Sequence, residues 1–507
     1  MKKTMSNEQQ PKVTGRSITT NALWRLGERI CAQGVHFIVS VVLARILSPD
    51  EYGLCALTMT FTTILSVFIT AGLGTALIQR KDIDNLDCST ALWANIVIGI
   101  FLYLLLFIAA PWISVFFNQE NMTPVLRVLG LTIVIGSLNA IQQARISRKM
   151  QFKKFFKATI TGTIISAFVG VWMAVRGMGV WALVGQHLTN QVIDTIFLWF
   201  SIKWKPELKF SFERLKPMYS FGWKAFGAQM IETLYNNLRS ILIGRYYSAD
   251  QLAFYNKGRH LPSLINLNTT NAVQSVLFPA YAKNAENRPK LKSMIRRAIS
   301  LSTYFIFPCM AGLAIVSNTL IDFLYTAKWL PAAPYLRICC FFYAVQPMQL
   351  INLQAILAIG RSDLSLKIEI IKKTVTISVL IICIHISMYA TAFCAIPLSV
   401  FALIVNTFPA RKEFDYSLRQ QLKDVIPQAV MTAVMGVCVY FAGKVPGSSA
   451  IRLMIQIVTG VAVYSGLSFA TKNRDFHFIL KYLGDTFRKL KKGKPKNQTA
   501  EKGDSET

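Results

Sequence analysis

Apolar stretches of about 17–25 residues, the length at which a helix crosses a bilayer core, recur along the whole chain. They fall at 22–46, 54–78, 91–112, 125–144, 158–175 and 180–200, then at 219–244, 259–282, 298–322, 335–358, 368–387 and 391–409. Two more lie at 426–442 and 451–470. This pattern predicts an all-α polytopic membrane protein with about fourteen transmembrane helices. Most spans are uniformly apolar, but the first and seventh are not. Between Leu23 and Leu47 the chain carries Arg25, Glu28, Arg29, Gln33, His36 and Ser40. At about 100° per residue these occupy one broad arc, while Ile30, Val35, Ile38, Val41 and Val42 supply apolar surface. A helix with one wet face inside a membrane lines a cavity or pairs with another polar helix.

Span seven repeats the device, with Lys224, Glu232, Tyr235, Asn236 and Arg239. The ends of the two helices align over eleven positions, Ser40–Asp50 against Ser240–Asp250, with identities at Ser40/Ser240, Arg45/Arg245, Ser48/Ser248 and Asp50/Asp250. Six helices separate the two starts, an even number, so the halves run parallel and a pseudo-two-fold lies along the membrane normal. The expected organisation is a tail at 1–21, an N-lobe of six spans at 22–200, a linker at 201–218 and a C-lobe of six spans at 219–409. Two extra C-terminal helices at 410–470 follow, then a basic tail at 471–507.

The loops test that count. With the N-terminus inside, alternate segments hold 41 Lys and Arg on the cytoplasmic side and 5 on the external side. A missed or extra span would scramble this bias, so both termini are expected in the cytoplasm. The net charge of +30 is therefore a topology signal and not a nucleic-acid footprint. The 53% hydrophobic and 16% charged composition lies outside the usual soluble range. Met1–Thr20 is polar and lacks a signal-peptide core. Beyond Lys472, Phe476, Ile479, Leu480, Leu483, Phe487 and Leu490 recur at helical spacing among lysines. This segment reads as an amphipathic helix on anionic membrane lipids, adding surface affinity without packing between spans.

Arg25, Arg29, Lys224 and Arg239 are the candidate binding residues for a phosphate or pyrophosphate, because Arg supplies bidentate geometry as well as charge. The plainer reading is internal neutralisation by Glu28 and Glu232. Glu28, Asp194 and Glu232 are the candidates for H+ or Na+ coupling; for Asp194 a structural pairing weighs at least equally. Asn268, Asn271 and Gln274, with Gln346, Gln349 and Asn352, each recur at three-residue spacing and are candidate sugar-facing amides; interhelical hydrogen bonds explain them nearly as well. Asp82-Ile83-Asp84 has a glycosyltransferase-like D-x-D spacing, but its loop of about eleven residues is too short for a nucleotide-sugar domain. Nine scattered cysteines form neither a metal-ligand spacing nor a disulfide framework. No cofactor is expected, and no Walker motif marks ATP hydrolysis.

Several strings resemble one family. Val42–Gly53 (Val-Leu-Ala-Arg-Ile-Leu-Ser-Pro-Asp-Glu-Tyr-Gly), Ala71–Lys81, Leu277–Ala282, Lys328-Trp329 and Asn352–Leu364 are similar to Wzx-type polysaccharide flippases, in particular the colanic-acid exporter branch. Thr326-Ala327 departs from the Gly-Glu that such relatives commonly carry. The resemblance covers roughly residues 15–470 and implies membership of the multidrug/oligosaccharidyl-lipid/polysaccharide superfamily. It implies an undecaprenyl-pyrophosphate-linked oligosaccharide as substrate, flipped across the bacterial plasma membrane by alternating access, and a polymerase and glycosyltransferases of the same pathway as partners. A multidrug/cation antiporter of the same superfamily is the alternative, although four bases against two or three acids favour an anion. A membrane polymerase or ligase using the same lipid is a third reading, and it would want a longer external loop than the roughly fourteen residues available.

Overall fold

A computed structural model describes residues 15–80, 83–149, 152–202 and 204–481; at 15–30, 149, 152 and 221 it describes the backbone alone. The described chain is helical throughout. In order come α1 (Gly15–Ile46), α2 (Pro49–Thr70), α3 (Leu73–Gln79), α4 (Asn85–Phe117), α5 (Met122–Lys149), α6 (Phe152–Val175), α7 (Val180–Ser201) and α8 (Phe212–Tyr246). The second half continues with α9 (Ala249–Lys283), α10 (Arg288–Ile315), α11 (Ser317–Tyr325), a 3-10 turn at Ala327–Ala332, α12 (Ala333–Ala358) and α13 (Ser362–Ile384). It closes with α14 (Met388–Phe393), α15 (Ala395–Phe414), α16 (Leu418–Ala442) and α17 (Ser449–Ala470).

Each of the fourteen expected spans lies on helix, and three are broken in two: α2/α3 at Ala71-Gly72, α10/α11 at Val316 and α14/α15 at Cys394. Among the described residues, eight helical stretches are long and apolar enough to cross a membrane by length and composition. The remaining spans, on α1, α7, α8, α9, α12 and α13, have the length but carry polar positions. The outward surface of α4 is apolar, with Val97, Phe101, Ile108, Trp112 and Val115 exposed, as lipid contact requires. The chain is thus a multi-pass membrane protein.

Helix starts follow from local chemistry. Ser48 caps α2 in a reciprocal box with Glu51, with Pro49 opening the helix, and Ser417 caps α16 with Gln420. Asp84 caps α4 in a box with Asp87 and pairs with Arg214 at 3.3 Å. That use is structural and agrees with discounting the D-x-D spacing; Asp82 lies outside the described residues.

Two compact units emerge. One comprises Met1–Leu261, Ile321–Leu336 and Lys373–Ala395. In it Tyr52 at the start of α2 donates to the Ser40 carbonyl of α1, so the Leu47-Ser48 turn folds α2 back along α1. Along α8, Gly244 lies against Leu57 and Gly222 against Gly72, so α2 is antiparallel to α8. Helices α1 and α8 therefore run parallel, as the repeat requires. Where α2 starts, a Cβ on Gly53 would lie 1.7 Å from the Ala249 carbonyl oxygen; only glycine permits that approach.

The other unit comprises Pro262–Leu320, Arg337–Lys372 and Ile396–Thr507. Tyr281, Ile295, Ile299, Ile351, Ile356 and Phe414 belong to one of its cores. A second core joins Tyr304, Met431, Met435 and Tyr464, and Phe476 and Ile479 pack against it. This corrects one expectation. After a turn at Lys472 the chain resumes helix at 474–481, and its first turn is anchored between spans and not simply laid on a surface. Residues 482–507, with Leu483, Phe487 and Leu490, lie outside the described residues.

Candidate functional site

Helix α8 carries the wet face. Lys224, about a third of the way along it, is exposed. Glu232, about three-fifths of the way along α8, meets Lys373 of α13 at 2.5 Å and accepts from the Asn236 amide at 3.0 Å. The Lys373 ammonium also sits 5.1 Å from the centre of the Tyr235 ring. Glu232 is thus matched by a base from another helix. Arg239 is held elsewhere: it donates to the Tyr255 hydroxyl at 2.8 Å and approaches the Cys394 sulfur at 3.9 Å.

Depth separates the four expected bases. At 1.5 Å per residue, the fifteen residues between Lys224 and Arg239 on α8 amount to about 22 Å. Arg239 lies about 9 Å from Arg245, whereas Lys224 lies about 32 Å from it. On the parallel α1, Arg25 and Arg29 lie about 30 and 24 Å from Arg45 by the same rise. Position along the helices therefore groups Arg25 and Arg29 with Lys224 and sets Arg239 apart. The side chains of Arg25, Glu28 and Arg29 lie outside the described residues.

Three of the six expected sugar-facing amides turn to other helices. Asn352 is fully buried and exchanges two hydrogen bonds with Gln421 of α16, at 3.0 and 3.1 Å. This corrects its assignment: an amide in a dry interhelical pair has no free edge for a sugar. Gln346 accepts from Asn266 at 2.7 Å, and Gln349 donates to the Ser399 carbonyl at 2.9 Å. Asn268 is exposed and bonds back to Leu264, Gln274 is half-buried, and the Asn271 amide nitrogen has no hydrogen-bond partner among the described residues. Asp194 packs on α6, where a Cβ at Gly162 would fall 2.2 Å from its carboxylate.

Sequence reasoning missed a second cluster at the Arg45 end of the same unit. Lys257 of α9 is buried, 7% exposed, and bonds Ser40 of α1 through its hydroxyl at 2.8 Å and its carbonyl at 3.4 Å. The ring centres of Tyr52, Tyr325 and Trp329 lie 4.1, 4.9 and 5.5 Å from the ammonium. Around this cage Trp329 donates to the Ala44 carbonyl, Lys328 to those of Arg45 and Leu47, and Arg45 to those of Phe323 and Leu324. The repeat-related acids Asp50 and Asp250 also come within electrostatic reach here. One signal was available: Lys257 is among the few bases in the base-poor set of loops. The arrangement fastens the last turns of α1 to α9 and to the Lys328-Trp329 segment.

Comparison with known proteins bears on what these parts do. Residues 42–334 match the family described as polysaccharide biosynthesis protein. The teichuronic acid biosynthesis protein TuaB of Bacillus subtilis is 26% identical over 358 residues, 70% of this chain and 74% of that one. The lipopolysaccharide biosynthesis protein WzxC of Escherichia coli is 24% identical over 371 residues, 72% of this chain and 74% of that one. Among solved structures, the inward closed conformation of the lipid II flippase MurJ superposes with a TM-score of 0.69 at 15% identity, covering 89% of this chain and 98% of that one. An inward-facing multidrug transporter of the MATE family gives 0.60 at 15% identity, covering 78% and 98%. At these identities the structural likeness establishes the fold.

Proposed function

The chain belongs to the polysaccharide biosynthesis protein family, and from that premise we propose that it is a flippase for undecaprenyl-pyrophosphate-linked oligosaccharide repeat units. It moves them across the bacterial plasma membrane by alternating access, for assembly of a cell-surface polysaccharide, and is a transporter and not an enzyme. The base-rich loops face the cytoplasm and the Arg45 end faces outward. The pyrophosphate enters on Arg25, Arg29 and Lys224, which share one depth near the inner mouth, and the sugars follow along the remaining polar face. Pathway glycosyltransferases and a polymerase supply the substrate and consume the product.

The observation that carries this reading is the charge balance. Glu232, the acid of the α8 face, is already matched by Lys373, and among the described residues no carboxylate pairs with Lys224, which leaves that base to an anion. Desolvated Arg–phosphate pairing is strong and directional, whereas a carrier of organic cations needs the opposite sign.

The test uses purified protein in proteoliposomes carrying an undecaprenyl-pyrophosphate-linked oligosaccharide, with the fraction reaching the far leaflet read by an impermeant lectin. Arg29→Ala and Lys224→Ala should each slow translocation about ten-fold or more, one lost charge-assisted contact, at unchanged protein abundance. Arg29→Lys should retain part of the rate, since it keeps charge without the fork. Gradient-driven efflux of a cationic dye with no lipid translocation would replace this reading with the antiporter.

A further inference from the structure

Away from the translocation face, the second unit holds a cavity of about 600 Å³ at the base-rich ends of α10, α16 and α17. Its rim carries Arg296, Arg297, Lys423 and Arg474, and its carboxylates are Asp424 and Asp475, leaving two positive charges in excess. The pairing inside is specific. Asp424 is engaged by Arg296 and by the Tyr416 hydroxyl at 2.8 Å. Asp475, buried, accepts from the Ser300 hydroxyl at 2.5 Å and the Gln428 amide at 3.2 Å. The Arg297 guanidinium stacks 4.2 Å from the centre of the Phe478 ring. Among the described residues, no carboxylate pairs with Arg297, Lys423 or Arg474.

The floor offers the opposite chemistry. Gln428 spends its NH2 group on Ser300 and Asp475, and its carbonyl oxygen is buried with no partner among the described residues. A buried acceptor left unmade is costly, so the cavity suits a ligand that brings a hydroxyl to its floor and an anion to its rim. Phe478 and Leu480, on the helical stretch beside the rim, are exposed and give acyl chains an apolar neighbour. The volume lies within the range of small-ligand sites.

We propose that this cavity binds a phosphate group bearing a hydroxylated substituent, presented as the glycerophosphate headgroup of an anionic phospholipid in the leaflet that meets the base-rich loops. The phosphate sits among Arg297, Lys423 and Arg474, and a headgroup hydroxyl donates to the Gln428 carbonyl oxygen. The bound lipid ties the chain after α17 to α10 and α16. This site is independent of the transported cargo.

Full-length protein in detergent, stripped of lipid, is titrated with dihexanoyl phosphatidylglycerol, dihexanoyl phosphatidylcholine or glycerol 3-phosphate and read by thermophoresis. Phosphatidylglycerol should bind at least ten-fold more tightly than phosphatidylcholine. Lys423→Gln with Arg474→Gln should weaken it about ten-fold, as should Ser293→Glu, which places a negative charge on the rim without removing a base. Lys444→Gln, at the far end of the unit, should leave binding unchanged. Equal affinity for the two lipids, or wild-type affinity in both rim variants, overturns the site. Saturable glycerol 3-phosphate binding that the lipid does not match overturns the lipid as its source.

Discussion

Lys257 gives the sharpest prediction, because its two ends pull in opposite directions. Taking an ammonium out of water costs several kcal/mol even after relaxation. The Ser40 contact returns about 1.5–3 kcal/mol and the aromatic faces about 2 kcal/mol, and no carboxylate pairs with it among the described residues. The charge therefore roughly breaks even at best when the Arg45 end is closed, and it is fully hydrated when that end opens. Lys257→Met keeps the chain length that fills the cage and deletes the charge; replacing a buried ion pair by apolar residues of similar volume is neutral or stabilises by about 1–4 kcal/mol, and a gain of that order is expected for this unpaired ammonium. At about 2 kcal/mol the closed-to-open ratio rises roughly thirty-fold. Ser40→Ala does the reverse, since it strands the ammonium without its hydroxyl acceptor.

The assay is the rate at which a cysteine at Ala44, a fully buried position at that end, reacts with an impermeant maleimide in proteoliposomes, quantified by mass spectrometry of its peptide. Labelling should slow at least five-fold in Lys257→Met, with transport falling in parallel, and should quicken in Ser40→Ala. Faster labelling in Lys257→Met would refute the reasoning, because it would mean that the cage contacts outweigh desolvation and that Lys257 is the fastener itself.

Two further outcomes are expected. Glu232→Gln leaves Lys373 half-buried without its carboxylate and should slow translocation, whereas Glu232→Gln with Lys373→Gln should recover much of the rate in the same vesicle assay; because the pair is partly exposed, its effect on stability should stay near 1 kcal/mol or below in a double-mutant cycle. Thr326 stands at φ 77, a backbone region costly for a β-branched residue, so Thr326→Gly should raise the thermal midpoint by the equivalent of about 1 kcal/mol, and a lowered midpoint would show that the threonine side chain holds the turn.

The fold was legible because its two signals are global. Apolar length marks the spans, and the alternation of basic loops fixes their number; both survive errors at any single residue. The breaks at Val316 and Cys394 do not register in apolar length; the second is marked only by Pro397 in the first turn of α15, which has no N–H to give the Phe393 carbonyl and whose ring clashes with it. The same limit explains the tail. Phe476 and Ile479 have the spacing of a surface helix, and nothing in that periodicity says that Met431, Met435 and Tyr464 stand ready to receive them.

The site was legible in kind and not in depth. Periodicity gives the angle of a residue around its helix, and by angle Arg239 belongs with Lys224. Rise along the axis separates them by about 22 Å, and the repeat already held that fact: Arg45 aligns with Arg245, which sets Arg25 and Arg29 beside positions 225 and 229 and leaves Arg239 opposite Val39. The amides failed for a different reason. A buried amide at three-residue spacing looks the same whether its partner is a sugar or another helix, and Gln421 lies 69 residues from Asn352. Lys257 shows the converse case, a cation whose partners, Ser40 and Trp329, lie on either side of it in sequence at long range. Such contacts fasten the Arg45 end of the first unit, and alternating access, as proposed, requires that they can be lost. A cation held by a hydroxyl, a carbonyl and aromatic faces, with no carboxylate paired to Lys257 among the described residues, makes a latch that can be lost.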